Sequence, residues 1–453
     1  MRILFVNQYF PPDSASTANL LGELCEDLAA RGHEVHVVAG RPSYDPDTSH
    51  GPASSRSLRE SSSSPLAHGP DASDGRAALR SHAKRRRHRL ITRERWNGVQ
   101  VTRTFSTTFV RSSVGGRLAN YLTFTCSALL GCLRAPRPGV VVSMTDPPVV
   151  GLVAWMAARL RRAPLVCWCQ DVFPEVAVVL GWLKPGGVSR ILGCLTLFVL
   201  RRAATVVVIG EDMARRLVVK GVLAERIQVI PNWSDSAVVM PADGGAFRQS
   251  CGLDGGLLLM HSGNVGLSQA LDTIVDAVAL LGPDGNRPGG DRVALAILGD
   301  GAGKAALEQG VRQKGIEAIR FLPRQPKEKL AECLSAADIH LVSLKRGLAG
   351  YVVPSKVYGI MAAGKPFIAA VDPDSEVAGI VRRHRCGVLV DPEDPVALAT
   401  AVRELAADPV RRQEMGRRGR EALLAHYDRP LAAERFETLL KSVNSREGGR
   451  ESR

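Results

Sequence analysis

The chain predicts an α/β protein with two doubly wound parallel sheets facing each other across a crevice. Short apolar runs alternate with stretches of helical periodicity, and this alternation occurs twice, with a break after Asn232. The length of 453 residues, 45% apolar and 23% charged, gives room for two or three domains with substantial cores and excludes a single small binding module.

The first series opens with an apolar run from Arg2 to Phe10, broken by Pro11 and Pro12. Leu20, Leu21, Leu24 and Leu28 then recur at helical spacing until Gly32, and Glu34 to Ala39 reads as the next strand, which makes a βαβ unit. From Ser43 to Arg89 periodicity gives way to Ser, Pro, Gly, His and Arg, the composition of a disordered insertion. The pattern resumes with strands at Val99 to Phe105, Gly139 to Ser143, Leu165 to Gln170 and Thr205 to Ile209, alternating with helices such as Val149 to Leu160 and Gly187 to Arg202. The second series has strands at Leu257 to His261, Val293 to Leu298, Ile319 to Phe321, Ile339 to Leu344, Pro366 to Ala370 and Val388 to Val390. Helices are expected at Leu271 to Leu281, Lys304 to Lys314, Lys327 to Ala336 and Lys356 to Met361. This gives a first domain at 1–235, a second at 236–427, a helix at 428–443 packing back on the first domain, and a frayed tail at 444–453. Ligands of such sheets bind at the carboxyl ends of the strands, which here would line the crevice.

Lys plus Arg number 59 against 45 Asp plus Glu, a formal charge of +14 that favours anionic partners. Nine basic residues against Glu94 between Arg76 and Arg95 supply +8 of that excess. Clustered arginines would also suit nucleic acid, but no aromatics interleave them, so nucleic acid is not the expected partner. Nine cysteines without a CxxC pair read as reduced, and the four apolar residues Ile3 to Val6 are too few for a signal peptide, so a cytoplasmic chain is expected. Leu118 to Leu133 and Val188 to Leu200 are apolar but shorter than the roughly 20 residues of a spanning helix. The first lies between Arg111, Arg117, Arg134 and Arg137, which suits peripheral contact with the inner face of the membrane.

Several motifs fall at strand ends. Ser262, Gly263, Asn264, Val265 and Gly266 follow a strand and precede a helix, where glycines let the backbone approach a phosphate. Ser355 and Lys356 lead into a helix and offer a hydroxyl and an ammonium to the same anion, while Glu376 could accept from two ribose hydroxyls. Asp171 ends a strand ahead of Glu175 and could orient or deprotonate an acceptor hydroxyl. Asp13 and Thr17 occupy the first loop and helix start, as N-caps or as contacts to a sugar or phosphate. The triplets Asp45 to Asp47 and Asp372 to Asp374 each carry a central proline typical of turns, and no zinc spacing, nucleophile elbow or phosphate-binding GxxxxGK[ST] loop occurs; no metal is expected.

Taken in order, Phe10-Pro11-Pro12-Asp13, Asp146-Pro147-Pro148, Asp171-Val172-Phe173-Pro174-Glu175, Ile230-Pro231-Asn232-Trp233, Ser262-Gly263-Asn264, Gly299-Asp300-Gly301, Pro354-Ser355-Lys356 and Met361-Ala362-Ala363-Gly364-Lys365-Pro366 resemble glycosyltransferase family 4. The likeness is to the bacterial branch that adds amino sugars in O-antigen, capsule and exopolysaccharide assembly, and it runs from Met1 to about Val443. It implies the GT-B fold, made of two Rossmann-like domains, and a retaining transferase without a required metal or cofactor, its UDP-sugar being a substrate. The donor would be held by Ser262, Gly263, Asn264, Gly266, Asp300, Gly301, Arg346, Ser355, Lys356 and Glu376. A lipid-linked or polysaccharide-precursor acceptor would be held by Asp13, Ser14, Thr17, Asp171 and Glu175. Asp171 and Lys356 are the catalytic candidates. The family's Glu-x7-Glu pair would fall at Tyr351 and Gly359, which leaves Glu376 as the substitute carboxylate. The Arg and Lys that commonly grip the diphosphate are replaced by Gly266-Leu267-Ser268-Gln269, which leaves Lys356, with Lys345 or Arg346, to neutralise it. A nucleotide-sugar 2-epimerase of the same fold is the alternative, though its acid and base residues are not evident.

Overall fold

The computed structural model describes residues 1–42, 90–109, 114–253, 255–282 and 292–448, so the insertion expected at 43–89 and the triplet at 45–47 lie outside the described residues. Contacts divide the chain into two compact units: Met1–Val166 with the terminal residues from Val443, and Cys167–Ser442.

The first unit contains β1 (Arg2–Val6), α1 (Ser16–Ala30), β2 (Glu34–Ala39), β3 (Ile91–Trp96), β4 (Val99–Thr104), α2 (Val114–Arg134), β5 (Val140–Ser143), α3 (Val150–Arg161) and the start of β6 (Leu165–Cys169). Its strands are ordered β3-β4-β2-β1-β5. Strand β1 pairs parallel to both β2 and β5, and both of its faces are covered, as its unbroken run Ile3 to Val6 requires. Helix α1 buries Leu20, Leu21, Leu24 and Leu28, the residues whose spacing predicted it. Strand β3 was not expected. It pairs antiparallel with β4 through Asn97 and Gly98, both at positive φ, the conformation that lets a two-residue hairpin follow the strand twist.

The second unit continues from β6 through α4 (Glu175–Val179), α5 (Gly187–Arg202), β7 (Thr205–Val208), α6 (Glu211–Val219), β8 (Ile227–Val229) and α7 (Gly245–Ser250). The second series follows as β9 (Leu257–Ser262), α8 (Leu271–Leu281), β10 (Val293–Leu298), α9 (Lys304–Gln313), β11 (Ile319–Leu322), α10 (Leu330–Ser335), β12 (Ile339–Ser343), α11 (Lys356–Ala362), β13 (Phe367–Ala370), α12 (Glu376–His384) and β14 (Gly387–Val390). Helices α13 (Pro395–Ala407) and α14 (Pro409–Ala422), a π-helical turn at Leu423–Tyr427 and α15 (Arg429–Gly448) complete it. The six strands β11-β10-β9-β12-β13-β14 are all parallel, over a core that includes Leu259, Ile274, Leu295, Ile297, Leu341 and Leu405. Helix α15 continues to Gly448, so 444–448 are helical where a frayed tail was expected.

The two strand series change over near residue 235, yet the compact units divide inside β6, because β6, β7 and their loops are tied to the second sheet. Asp212 Oδ2 accepts from the backbone N–H of Glu376 and of Gly350, each at 2.9 Å. Glu376 Oε2 in turn accepts from the N–H of Glu211 at 2.9 Å, so α6 and α12 cap each other's first turn. Ser236 and Asp428 add a second tie, with hydrogen bonds of 3.0 and 2.6 Å. Trp168 of β6 stacks on Trp233 at 5.8 Å and meets Phe436 of α15 edge-on at 4.7 Å. No described helix is long and apolar enough to cross a membrane.

The crossed caps yield a prediction. Asp212→Ala strands the buried amides of Gly350 and Glu376 and is expected to cost about 2–4 kcal/mol, read as a lower thermal midpoint. A midpoint within about 1 °C of wild type would show that the caps contribute little.

Candidate active site

In the six-stranded sheet β9 lies between β10 and β12, so successive crossovers run one way from β9 and the other way from β12. At such a reversal the loops leaving adjacent strand ends diverge, which is where ligands of open α/β sheets bind. Three segments meet there: the 262–270 loop after β9, the 299–303 turn after β10 and the start of α11.

Their contact is close because glycine permits it. Gly299, at φ 137°, lies so near the carbonyl of Gly263 that a Cβ on it would fall 1.9 Å from that oxygen. The N–H of Val265 donates to Asp300 O at 3.0 Å and the N–H of Gly303 donates to Val265 O at 3.0 Å, joining the two loops. Gly263, at φ 126°, faces Lys356, and a Cβ there would sit 3.5 Å from Lys356 Cε.

Lys356 is partly buried and its Nζ donates to Gln269 Oε1 at 2.7 Å. The same Nζ lies 3.1 and 3.4 Å from the ring nitrogens of His261, a fully buried residue near the end of β9. Loss of hydration brings the Lys356 pKa down to about 7 from the ordinary 10.5. Burial, reinforced by the Lys356 charge, holds the His261 pKa well below the ordinary range, so that ring is neutral. The result is a lysine amine that is only partly protonated near neutral pH, with a neutral ring and an amide oxygen beside it, facing a glycine-lined loop. Such a group favours an incoming anion.

Of the residues singled out in the sequence, Ser262, Gly263, Asn264, Gly266, Asp300, Gly301, Ser355 and Lys356 belong to these three segments. Asp300 is exposed and pairs with Lys304 at 2.8 Å. Arg346 is turned elsewhere: it donates to Pro392 O at 2.8 Å and lies 4.0 Å from Glu393. Lys345 contributes its backbone N–H, which donates to Ser268 O at 2.8 Å. Glu376 is 4% exposed, and its two oxygens take the N–H of Glu211 and the guanidinium of Arg383, so in this conformation its carboxylate is committed within the protein. The Asp372 to Asp374 triplet forms a turn in which the N–H of Ser375 donates to Asp372 O at 3.1 Å, and the Asp372 carboxylate accepts from the N–H groups of Gly347 and Ala349 at 2.8 and 3.4 Å. Among the described residues no cluster of His, Cys, Asp or Glu is placed to hold a metal.

Asp171 forms an antiparallel bridge with Val352, and the N–H of Val172 donates to Tyr351 O at 2.9 Å, so this strand end meets the segment leading to Lys356. Glu175 pairs with Lys220, which follows the last residue of α6. In the first unit the winding reverses between β1 and β5, where Thr17 Oγ1 donates to Asp146 Oδ2 at 3.1 Å and Asp13 is buried in the loop that also carries Ser14. His261 was not among the sequence candidates. Its signal was a lone histidine closing the apolar run Leu257 to Met260.

A glycosyl transferase 4-like domain matches residues 17–233, and a domain of the glycosyl transferases group 1 matches residues 247–422. WcaI of Escherichia coli K12, named for colanic acid biosynthesis, is 28% identical over 421 residues, covering 89% of this chain and 92% of WcaI. WbjE of Pseudomonas aeruginosa, named as a glycosyltransferase, is 29% identical over 315 residues, covering 69% of this chain and 76% of WbjE. The Anabaena protein HepE, solved with UDP, superposes with a TM-score of 0.68 at 15% identity over 98% of this chain and all of HepE, a likeness of fold. With two such domains in succession on two sets of parallel strands, the chain belongs to the family 4 glycosyltransferases of GT-B fold.

Proposed function

We propose that the chain is a retaining, metal-independent transferase that moves a sugar, in our reading an N-acetylated amino sugar, from a UDP-sugar to a lipid-linked or polysaccharide-precursor acceptor in cell-surface glycan assembly. The observation that carries this reading is the desolvated Lys356 ammonium facing the glycine-lined loop at the switch point of the second sheet. The name of WcaI supports the glycan class, and the UDP in HepE supports the nucleotide.

In this reading the donor diphosphate lies on the 262–266 loop against Lys356. The bond from the anomeric carbon to the diphosphate oxygen breaks, and that oxygen, stabilised by Lys356, accepts the proton of the acceptor hydroxyl attacking the same face. The leaving group thus serves as the base, and the protein supplies electrostatics and orientation. Asp171 orients the acceptor, with Asp13, Ser14, Thr17 and Glu175 as further acceptor contacts. We place the chain at the inner face of the membrane, with α2 as a contact: Leu118, Leu122 and Leu130 are exposed along it, and Arg134 closes it.

Thermal-shift measurement without metal, against UDP, GDP, dTDP and ADP, is expected to show selective stabilisation by UDP; no response to any of them would contradict the donor site. Lys356→Met should weaken UDP binding about 10- to 100-fold while raising the midpoint of the ligand-free protein, because a poorly solvated charge is removed. Wild-type UDP affinity in that variant would eliminate the role of Lys356. Asp171→Asn should slow transfer by about a hundredfold or more with UDP binding unchanged; normal transfer would remove Asp171 from the mechanism.

A further inference from the structure

Helix α5 and the turn before it form a second apolar surface, in the same unit as the donor site. Along α5 only Ser189, Val199 and Leu200 are buried. Val188, Ile191 and Leu195 recur on one face at 62%, 61% and 36% exposure, and Trp182 precedes them at 46%. Phe198 extends this face and carries the guanidinium of Arg202 at 3.7 Å from its ring centre.

Charge decides what such a face fits. From residue 176 to 210 there is no Asp or Glu, while Lys184, Arg190, Arg201 and Arg202 are all present. Arg201 is held by the carbonyls of Lys220 and Gly221, but Lys184 and Arg190 are exposed beside the apolar stripe. A second copy docking about a two-fold axis would set these cations against themselves. A bilayer with anionic headgroups offers negative charge and an apolar interior together, and tryptophan favours that interface.

We propose that Trp182 and the exposed face of α5 dock on an anionic bilayer, with Val188, Ile191 and Leu195 entering the acyl boundary and Lys184 and Arg190 meeting headgroups. This rests on the reading of the chain as a membrane-surface enzyme and adds a contact that α2 does not supply. It brings the unit that carries the donor site to the lipid in its own right.

The test is flotation of the full chain with vesicles of phosphatidylcholine alone or with about 30% phosphatidylglycerol, combined with quenching of tryptophan emission by brominated lipid. Wild type should bind the anionic vesicles, with salt-sensitive binding and quenching that Trp182→Phe largely removes. The pairs Ile191→Glu with Leu195→Glu, and Lys184→Glu with Arg190→Glu, should each cut vesicle partition about tenfold or more and leave the UDP-induced thermal shift intact. The pair Leu118→Glu with Leu122→Glu tests α2 separately. If that pair abolishes binding while both α5 pairs bind like wild type, the membrane reading stands and the α5 proposal is overturned. If wild type binds no vesicle, both fail. If the α5 pairs change only the mass seen by light scattering, the face is an interface between copies and the proposal is overturned.

Discussion

An ammonium group held away from water is unfavourable until an anion approaches it, and on this constraint rests the donor site proposed for the second unit. Lys356 enters after β12 and meets Gln269 and His261, both contributed by β9 and its loop, because the sheet order sets β9 beside β12. The neutral histidine gives no countercharge, and Gln269 offers only an amide oxygen. Part of the charge therefore remains unbalanced, and a diphosphate is well suited to complete it.

That arrangement also depends on buried carboxylates some distance along the chain. Asp212 and Glu376 each accept from the other helix's first turn, and burial raises both above the ordinary carboxylate range. Asp212 also fixes Gly350, which begins the segment leading to Lys356, and Asp372 holds Gly347 and Ala349 just before it. The loop that delivers the lysine is thus pinned by backbone hydrogen bonds to two aspartates. Trp168, Trp233 and Phe436 supply the apolar counterpart beside β6.

Much of the fold was legible because parallel strands buried on both faces leave unbroken apolar runs, as at Ile3 to Val6 and Leu257 to Met260. The less apolar elements were harder to read. Strand β3 carries Arg93, Glu94 and Arg95 on an edge, and only the Asn97-Gly98 turn marked it. Helices α13 and α14 are marked by Asp394-Pro395 and Asp408-Pro409, an aspartate cap followed by proline in the first turn, a signal that lies outside the alternation of apolar strands. In the site, the glycines and Lys356 could be found from sequence because each stands at a strand end or helix start. The commitment of Glu376 to α6 could not, since it depends on a partner 165 residues away. His261 was hidden for a similar reason: a buried histidine closing a strand looks like core until the lysine beside it is seen.

The central claim, that Lys356 is kept short of solvent so that a diphosphate completes its environment, can be measured at the residue itself. Nuclear magnetic resonance titration of the lysine side chains, with Lys356→Arg to assign the signal, should find a pKa of about 7 in the ligand-free protein. With UDP bound the same group should titrate above about 9, since a neighbouring anion favours the charged form. A Lys356 that titrates near 10.5 and does not respond to UDP would contradict the account.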